Sequence, residues 1–239
     1  MLHTDVLIIG CGIAGASAAL QLARNPNRHI TIITRASDPH ESNTRYAQGG
    51  IISRGPDDSV DKLVEDIMDS GAGANLPKAA RILAEEGPAL LNEILINTAG
   101  ILFDKNEDGS MAWGKEAAHS TRRILHKSDF TGQAIIDGLL EVIGDYPNIT
   151  VLNETTAVDL ITFPHHSTDP LDAYNPISCH GVYAFSQKER TVHRLLSKAT
   201  VLASGGLGRI FRSTTNPVGA RGDGVAMAHR AGARIVNAE

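Results

Sequence analysis

A glycine-rich turn placed directly after a buried strand is the feature that most constrains how this chain folds. Residues 5–10, DVLIIG, are a short continuous apolar run of the kind found inside parallel sheets. Three glycines follow with the spacing G-x-G-x-x-G and lead into an alanine- and leucine-rich helical pattern over 13–24. A second apolar run at 29–34, HITIIT, completes a βαβ unit. The chain is therefore predicted to be an α/β protein with a doubly wound, Rossmann-like domain.

The glycine turn predicts a binding site for the pyrophosphate of a dinucleotide. Gly10 permits a tight turn, Gly12 lets the backbone approach the pyrophosphate, and Gly15 lets the helix pack closely on the sheet. The amide groups and the positive end of the helix dipole then favour the anion. Glycines that serve packing alone are the alternative. The residues predicted to bind the dinucleotide here are Gly10, Cys11, Gly12, Ile13, Ala14 and Gly15.

The end of the second strand leaves the identity of the dinucleotide open. An acidic residue usually binds the ribose at this point, but Thr34 and Arg35 stand there instead. A basic residue is compatible with the 2′-phosphate of NADP, with the adenosine end of FAD, or with simple exposure to solvent. Position alone does not decide between them.

Helical and strand patterns alternate through the rest of the chain. The predicted helices lie at 57–71, 77–100, 130–145 and 223–231, and Gly87-Pro88 is expected to interrupt the second of them. One or two strands are predicted at 148–163, followed by a loop at 164–178 and by strands at 178–187 and 191–204, which form a small antiparallel excursion that returns to the main sheet. Residues 230–239 resemble the start of another strand that is not completed, so we expect the chain to be a truncated fragment.

Charge and cysteine content argue against several classes of protein. The formal net charge of −5 provides no excess of Lys and Arg to neutralise phosphates, which argues against a general nucleic-acid-binding protein. Cys11 and Cys179 are the only cysteines and lie far apart, so no disulfide framework is expected and a reducing compartment is the simplest setting. No apolar run reaches the ~18 residues that a membrane-spanning helix requires. We therefore expect a cytoplasmic protein.

Several motifs together carry a resemblance to a known family. In chain order they are GCGIAGASAA from Gly10, NTRYAQGGI from Asn43, HSTRRILHKSDFTG from His119, ASGG from Ala203, and TTNP followed by GDGVAMAHRAG from Thr214 onward. Their order and spacing are similar to those of the flavoprotein family of succinate dehydrogenase and fumarate reductase, and within it to the branch that oxidises L-aspartate. The resemblance covers the chain except for the loop around 164–178.

The resemblance implies that FAD is the cofactor and that residues 43–50 wrap its flavin. The glycine pair of this loop lets the backbone pass against the ring face, which a Cβ would obstruct. Many family members carry a histidine near the start of the loop that bonds covalently to FAD. Asn43 holds that position here, and because an amide does not form that bond we expect noncovalent FAD. Beyond the first glycine turn, the residues assigned to FAD are Arg35, Asn43, Thr44, Arg45, Tyr46, Ala47, Gln48, Gly49, Gly50, Gly205 and Asp223.

For Asp223 a helix cap with no other role is an equally good interpretation, since it lies between two glycines at a predicted helix start.

The segment WGKEAAHSTRRILH resembles the family's substrate-side loop. Glu116 aligns with a glutamate that lies near the substrate's amino group in the aspartate-oxidising branch. A carboxylate there would favour an α-ammonium ligand over a plain dicarboxylate. A solvated loop glutamate is the alternative, and two alanines follow Glu116 where glycines are common in the family.

The same segment contains a predicted basic cluster of His119, Arg122, Arg123 and His126. Its field could steer a dicarboxylate substrate. No residue of the chain is assigned as catalytic. No metal site is expected, because neither the spacing of the histidines nor their neighbours fit a zinc motif.

The function implied by the resemblance is FAD-dependent oxidation of L-aspartate to iminoaspartate, the first step towards quinolinate and NAD. Oxygen or fumarate would reoxidise the flavin, and quinolinate synthase, which consumes iminoaspartate, is the implied partner. Residues 1–239 would be the N-terminal part of the FAD-binding domain, without the family's capping domain or C-terminal helical domain. We therefore expect this chain alone to bind FAD weakly or not at all and to turn over no aspartate.

Two other functions stay open at this stage. One is a fumarate reductase-type dicarboxylate oxidoreductase with noncovalent flavin, which Glu116 and the RRILH segment disfavour. The other is a truncated, non-catalytic nucleotide-binding remnant.

Overall fold

The structure, a computed structural model, describes residues 2–236, which divide into two compact units. The first unit comprises the chain up to Asn43 and from Leu140 onward, and the second is Thr44–Leu139. Of the strand predicted over 230–239, residues 237–239 lie outside the described residues. Residues 231–236 form a turn and irregular backbone rather than a strand.

The regular elements follow the predicted order closely. The strands are β1 (Leu2–Ile9), β2 (Ile30–Ile33), β3 (Ile51–Ile52), β4 (Ile124–Leu125), β5 (Ile149–Leu152), β6 (Thr155–Phe163), β7 (Ser178–Ser186) and β8 (Thr191–Leu202). The α-helices are α1 (Ile13–Ala23), α2 (Val60–Ser70), α3 (Pro77–Leu91), α4 (Thr131–Gly144) and α5 (Asp223–Arg230). Within residues 2–236, no helix is both long enough and apolar enough to cross a membrane.

The first unit is built on a six-stranded sheet in the order β5-β2-β1-β8-β7-β6. Four neighbouring strands are parallel, namely β5, β2, β1 and β8. β1 pairs with β8 from Leu2↔Leu195 to Ile9↔Leu202. β7 and β6 are antiparallel to their neighbours. The prediction of a doubly wound α/β domain with a small antiparallel excursion is therefore confirmed.

Close packing of small residues seats α1 against the sheet. Ala16 and Ala19 are fully buried, and a Cβ on Gly15 would lie 3.2 Å from the Cγ2 atom of Ile8. The connection that follows α1 is held by Asn148, whose side-chain amide donates to the carbonyl oxygens of Ala23, Asn25 and Arg28 at 3.0–3.2 Å. One buried side chain thus satisfies the backbone groups where α1 ends and β2 begins.

The hydrophobic core of the first unit lies where the antiparallel strands pack on the parallel ones. Its buried members are Leu7, Ile9, Ile33, Val182, Ala184 and Leu195, and the partly buried Leu152, Ala157 and Leu160 pack against them. Because β1 and β2 are continuous apolar runs, they can supply buried side chains to both faces of the sheet.

The second unit contains α2, α3, the short antiparallel ribbon of β3 and β4, and the beginning of α4. Ser59 caps α2, as its hydroxyl oxygen accepts a hydrogen bond from the amide of Lys62. The most deeply buried apolar side chains of this unit are Leu63, Ala84, Leu95, Phe103, Leu125, Ile136 and Leu139.

The predicted interruption at Gly87-Pro88 is wrong, because α3 continues through both residues to Leu91 and a π-helical segment, Asn92–Thr98, follows. Pro88 has no amide hydrogen to donate to the carbonyl oxygen of Ala84, one turn earlier. Arg54 replaces that donor, since its guanidinium donates to the same oxygen. A tertiary contact therefore satisfies the backbone group that the proline leaves without its helical partner.

We expect Arg54→Met to lower the free energy of unfolding by about 1–3 kcal/mol, because a buried carbonyl then lacks a donor. In a Pro88→Ala background the same substitution should lower the free energy of unfolding by clearly less, since the amide of an alanine at position 88 can donate to the carbonyl oxygen of Ala84. Urea denaturation of the four proteins of this cycle measures both effects. An equal cost in both backgrounds would contradict the role given to Arg54.

Candidate functional site

The turn between β1 and α1 depends on the absence of side chains. Gly10 has φ +112°, and a Cβ placed on it would lie 2.7 Å from the carbonyl carbon of Ala203, where β8 ends. The amide of Ala203 in turn donates to the carbonyl oxygen of Ile9 at 2.9 Å. The first glycine turn therefore lies directly beside the turn that follows β8.

The N-terminus of α1 is suited to an anion. Gly12 is the N-cap residue with extended backbone, so no side chain caps the helix, and its first turn carries no acidic residue. Burial raises the pKa of the neighbouring Cys11 thiol to about 11, so this side chain stays neutral. The local chemistry is that of backbone amides and the helix dipole.

The turn that follows β8 has open space beside two of its glycines. Gly205 has φ +76°, and a Cβ on Gly205 or Gly206 would meet no atom of the described residues within 4 Å. Gly224 at the start of α5 is close-packed instead, since a Cβ added to it would lie 3.0 Å from the Cβ of Ser204. Two neighbouring turns with uncapped helix amides and no obstructing side chains fit a pyrophosphate-containing cofactor.

Arg35, at the end of β2, is joined to residues near the start of α5. Its guanidinium lies 3.8 Å from the Asp223 carboxylate, which also accepts a hydrogen bond from Arg221 at 2.9 Å. Asp223 is the first residue of α5, and Gly222 is the N-cap, so Asp223 does not cap the helix with its side chain. The cap interpretation of Asp223 is therefore replaced by an ion pair with two arginines.

Asn43 is held through its side chain. It begins a 3₁₀ turn, Asn43–Tyr46, and its amide donates to the side-chain oxygen of Asn216 at 3.3 Å. Asn216 belongs to the TTNP motif and is itself bonded through its amide to the hydroxyl of Thr214. Asn43 and the TTNP motif, which lie far apart in the sequence, are thus brought together in the first unit.

The second unit carries the remainder of the predicted flavin loop, residues 44–50. The amide of Gly132, at the start of α4, donates to the carbonyl oxygen of Ala47 at 2.8 Å. Gly50 has φ +98°, and a Cβ on it would lie 2.6 Å from the carbonyl oxygen of Leu125 in β4. This second glycine is therefore required by the backbone of the loop.

Glu116 lies against the same loop. A Cβ on Gly49 would be 2.6 Å from the Oε1 atom of Glu116, so the carboxylate occupies the space beside the first glycine of the pair. Glu116 is otherwise exposed. The structure thus brings the predicted substrate-side carboxylate next to the predicted flavin loop within one unit.

Arg123 does not belong to an open basic cluster, contrary to the prediction. Its side chain is fully buried and forms ion pairs with two carboxylates of or near α2, Asp58 at 2.8 Å and Asp66 at 2.5 Å. The two carboxylates compensate its charge, so it adds little field for a substrate. Sequence reasoning missed both aspartates. They lie 57 and 65 residues from Arg123 along the chain, so no local pattern pointed to them.

The other members of the predicted cluster lie apart from Arg123. Arg122 is exposed and donates to the carbonyl oxygen of Trp113 at 3.2 Å. His126 lies 3.2 Å from Asp104, which is also 3.4 Å from Lys127. No group of acidic, histidine and cysteine residues among residues 2–236 could hold a metal ion.

Comparison with known proteins identifies the family. A family model described as "FAD binding domain" matches residues 5–239. An L-aspartate oxidase from the chloroplast of Nicotiana tabacum is 43% identical over 99% of this chain and 35% of its own length. L-aspartate oxidases of Ralstonia nicotianae and Halobacterium salinarum are 35% and 37% identical over 100% and 99% of this chain. The chain spans 43% and 44% of their lengths, so it corresponds to less than half of each relative.

Solved structures agree with this assignment. Quinol fumarate reductase of E. coli superposes with a TM-score of 0.85 at 26% identity, over 95% of this chain and 37% of that one. The Mycobacterium smegmatis Sdh1 complex gives a TM-score of 0.84 at 26% identity, over 96% and 39%. The predicted resemblance to the flavoproteins of succinate dehydrogenase and fumarate reductase is confirmed.

We expect two hydrogen-bonded carboxylates, those of Asp66 and Asp104, to make the stability of the second unit depend on pH. Burial raises the pKa of Asp66, but hydrogen bonds from Ser120 and Arg123 lower it by more, so the pKa lies below the ordinary value. The amide of Ser128 lowers the pKa of Asp104 in the same way. Stabilisation by both groups should be complete above the ordinary aspartate pKa of about 3.9 and be lost as the pH falls below it, because the unfolded chain binds protons first.

Urea midpoints measured from about pH 6 to pH 3 test this dependence. Asp66→Asn should flatten the loss of stability towards low pH. Asp61→Asn is the matched control on α2, since the Asp61 side chain is exposed and forms a surface ion pair with Arg81. An unchanged slope in Asp66→Asn would contradict the assignment.

Proposed function

This chain belongs to the FAD-binding domain family, and from that premise we propose that it is the FAD-binding part of an enzyme that oxidises L-aspartate to iminoaspartate. The glycine turns of the first unit support the cofactor assignment. They present an uncapped helix N-terminus at Gly12 and open backbone at Gly205 and Gly206, as a pyrophosphate requires. The activity is proposed for the enzyme as a whole, to which the chain supplies this part.

One observation favours an amino acid as substrate, namely the position of Glu116 beside Gly49 in the predicted flavin loop. A carboxylate there attracts an α-ammonium group and repels a ligand that carries carboxylates alone. The neighbouring glycine has no side chain that would separate Glu116 from a molecule bound over the loop. Preference for aspartate over succinate would therefore follow from electrostatics at one residue.

The protein's own groups would bind and orient in this reaction. FAD, when bound, supplies the acceptor for the hydride, and thus for the two electrons, removed from the substrate. Backbone amides around Gly12 at the start of α1 would hold its pyrophosphate, with Gly10 and Gly15 permitting the turn and the close helix packing. Arg35 with Asp223 would lie near its adenosine end. Glu116 would hold the substrate's ammonium group by a charge-assisted hydrogen bond. No residue of this chain is proposed as the group that transfers a proton.

The proposal also includes the electron acceptor, the enzyme that consumes the product and the cellular compartment. Oxygen or fumarate would accept electrons from the reduced cofactor, and quinolinate synthase would consume the iminoaspartate. Both cysteines of the described residues are free, which supports a reducing compartment such as the cytoplasm. By the same resemblance, residues 1–239 would form the N-terminal part of the FAD-binding domain.

A dicarboxylate oxidoreductase is the second candidate, favoured by the likeness to solved structures of quinol fumarate reductase and the Sdh1 complex. Such an enzyme would act on succinate or fumarate and would gain nothing from a carboxylate at Glu116.

We expect L-aspartate, and not succinate, to bleach the flavin absorbance of the complete gene product in the absence of oxygen. Glu116→Gln should raise the KM for L-aspartate, since the amide keeps the shape but loses the charge. Gly49→Ala should have the same effect, because its Cβ would displace the Glu116 carboxylate. Gly144→Ala is a control for a glycine-to-alanine change where a Cβ meets no atom within 4 Å and the backbone needs no positive φ. Bleaching by succinate alone would assign the protein to the dicarboxylate branch.

We also expect FAD to be held without a covalent bond, because Asn43 replaces the histidine that forms that bond in related enzymes. Precipitation of the yellow holoprotein with acid should leave the flavin in the supernatant, where its fluorescence is measured. Flavin that stays in the protein pellet would refute this part of the proposal.

A further inference from the structure

The segment that carries Glu116 cannot be held in place by hydrophobic burial. From Lys115 to Arg122 no side chain is buried, and Glu116, Ala117, Ala118 and Ser120 are exposed. A surface segment without buried apolar contacts samples many conformations unless polar groups restrain it. The anchors of this loop, residues 115–122, must therefore lie in its hydrogen bonds.

One anchor is the base of the loop. The amides of Arg123 and Ile124 both donate to the carbonyl oxygen of Gly114, at 3.0 and 3.1 Å, and the amide of Gly114 donates back to Ile124 at 2.8 Å. Ile124 also pairs with Ile52 in the ribbon that follows Gly49 and Gly50. The two ends of the loop are thus fixed next to the glycine pair.

The other anchor is a pair of carboxylates on the opposite side of the loop. Asp66 accepts from the amide of Ser120 at 2.8 Å and from its hydroxyl at 3.0 Å. Asp58 accepts from the hydroxyl of Thr121 at 3.1 Å. These bonds come from the end of the loop that follows the turn closed by the amide of His119 and the carbonyl oxygen of Glu116, at 3.1 Å.

Arg123 fixes the carboxylates themselves. Its two terminal nitrogens bind one aspartate each, and one of them also donates to the hydroxyl of Thr121 at 3.0 Å. Since the guanidinium is fully buried, it cannot exchange these partners for water, and loss of either carboxylate leaves a buried charge underpaired. The side chains of Arg123 and Asp58 are thus buried, whereas Glu116 and Ser120 in the loop are exposed.

We propose that Asp66, together with Asp58 and Arg123, positions Glu116 and so sets the preference for a substrate with an α-amino group. None of the three touches the substrate in this proposal. They act through Ser120, Thr121 and the turn that ends at His119. The inference rests on the proposed function for its effect on the substrate, but the positioning of the loop is independent of it.

The positioning itself is tested by amide hydrogen exchange in the 239-residue chain. Asp66→Asn should speed exchange of the Ser120 amide by about tenfold or more, and also that of the His119 amide, which does not contact Asp66. Ser120→Ala removes only the hydroxyl bonds and should give a smaller increase at His119, which keeps the test valid if Asp66→Asn folds poorly. Asp61→Asn, an exposed position on the same helix, is the control and should change neither amide. An unchanged His119 amide in both test variants would overturn the proposal.

The effect on substrate preference is tested in the complete, FAD-loaded gene product. Asp66→Asn should lower kcat/KM for L-aspartate by roughly ten- to hundredfold, mainly through KM. In a Glu116→Gln background the same change should have less than about a twofold effect, because both substitutions remove one function. If the losses of kcat/KM from Asp66→Asn and Glu116→Gln are additive in free energy, the proposal is overturned. If the unsubstituted enzyme does not oxidise aspartate, the proposed function fails, and hydrogen exchange alone then decides whether Asp66 holds the loop.

Discussion

The first unit depends on a close approach of two backbones, that of Gly10 and that of Ala203. A side chain at position 10 would overlap the end of β8, so the parallel pairing of β1 and β8 can continue to Ile9↔Leu202 only with glycine there. Because the two strands end side by side, the turns that follow them also lie side by side. The glycine turn after β1 and the open Gly205-Gly206 turn therefore lie together because of one strand pairing.

The second unit is organised by a different force. Residues 115–122 have almost no apolar surface to bury. A buried guanidinium and two aspartates hold this loop instead of hydrophobic contacts. Such a network is costly to desolvate and adds little net stability compared with an apolar cluster of the same size. What it provides is one defined geometry for a segment that is otherwise surrounded by water.

Much of the fold was predictable because its signals are local. The glycine spacing, the apolar runs of β1 and β2 and the turn residues of the antiparallel excursion lie within short windows of sequence. Two features were not, for the same physical reason. The burial of Arg123 depends on aspartates 57 and 65 residues away along the chain. The continuity of α3 at Pro88 depends on Arg54, which satisfies a carbonyl from outside the helix. The roles of Asn43, Arg35 and Glu116 came from resemblance to a family, and their neighbours Asn216, Asp223 and Gly49 became visible only in three dimensions.

The pairing of β1 with β8 also has a consequence for synthesis of the chain. β1 is synthesised well before residues 195–202, which form the neighbouring strand on one of its sides. Until those residues emerge, an apolar strand from Val6 to Ile9 has an unpaired edge, which is an open template for pairing with another molecule. Non-local pairing of this kind folds slowly and leaves nascent chains exposed to aggregation. Translation of the intervening residues thus sets a minimum time during which this edge of β1 stays unpaired.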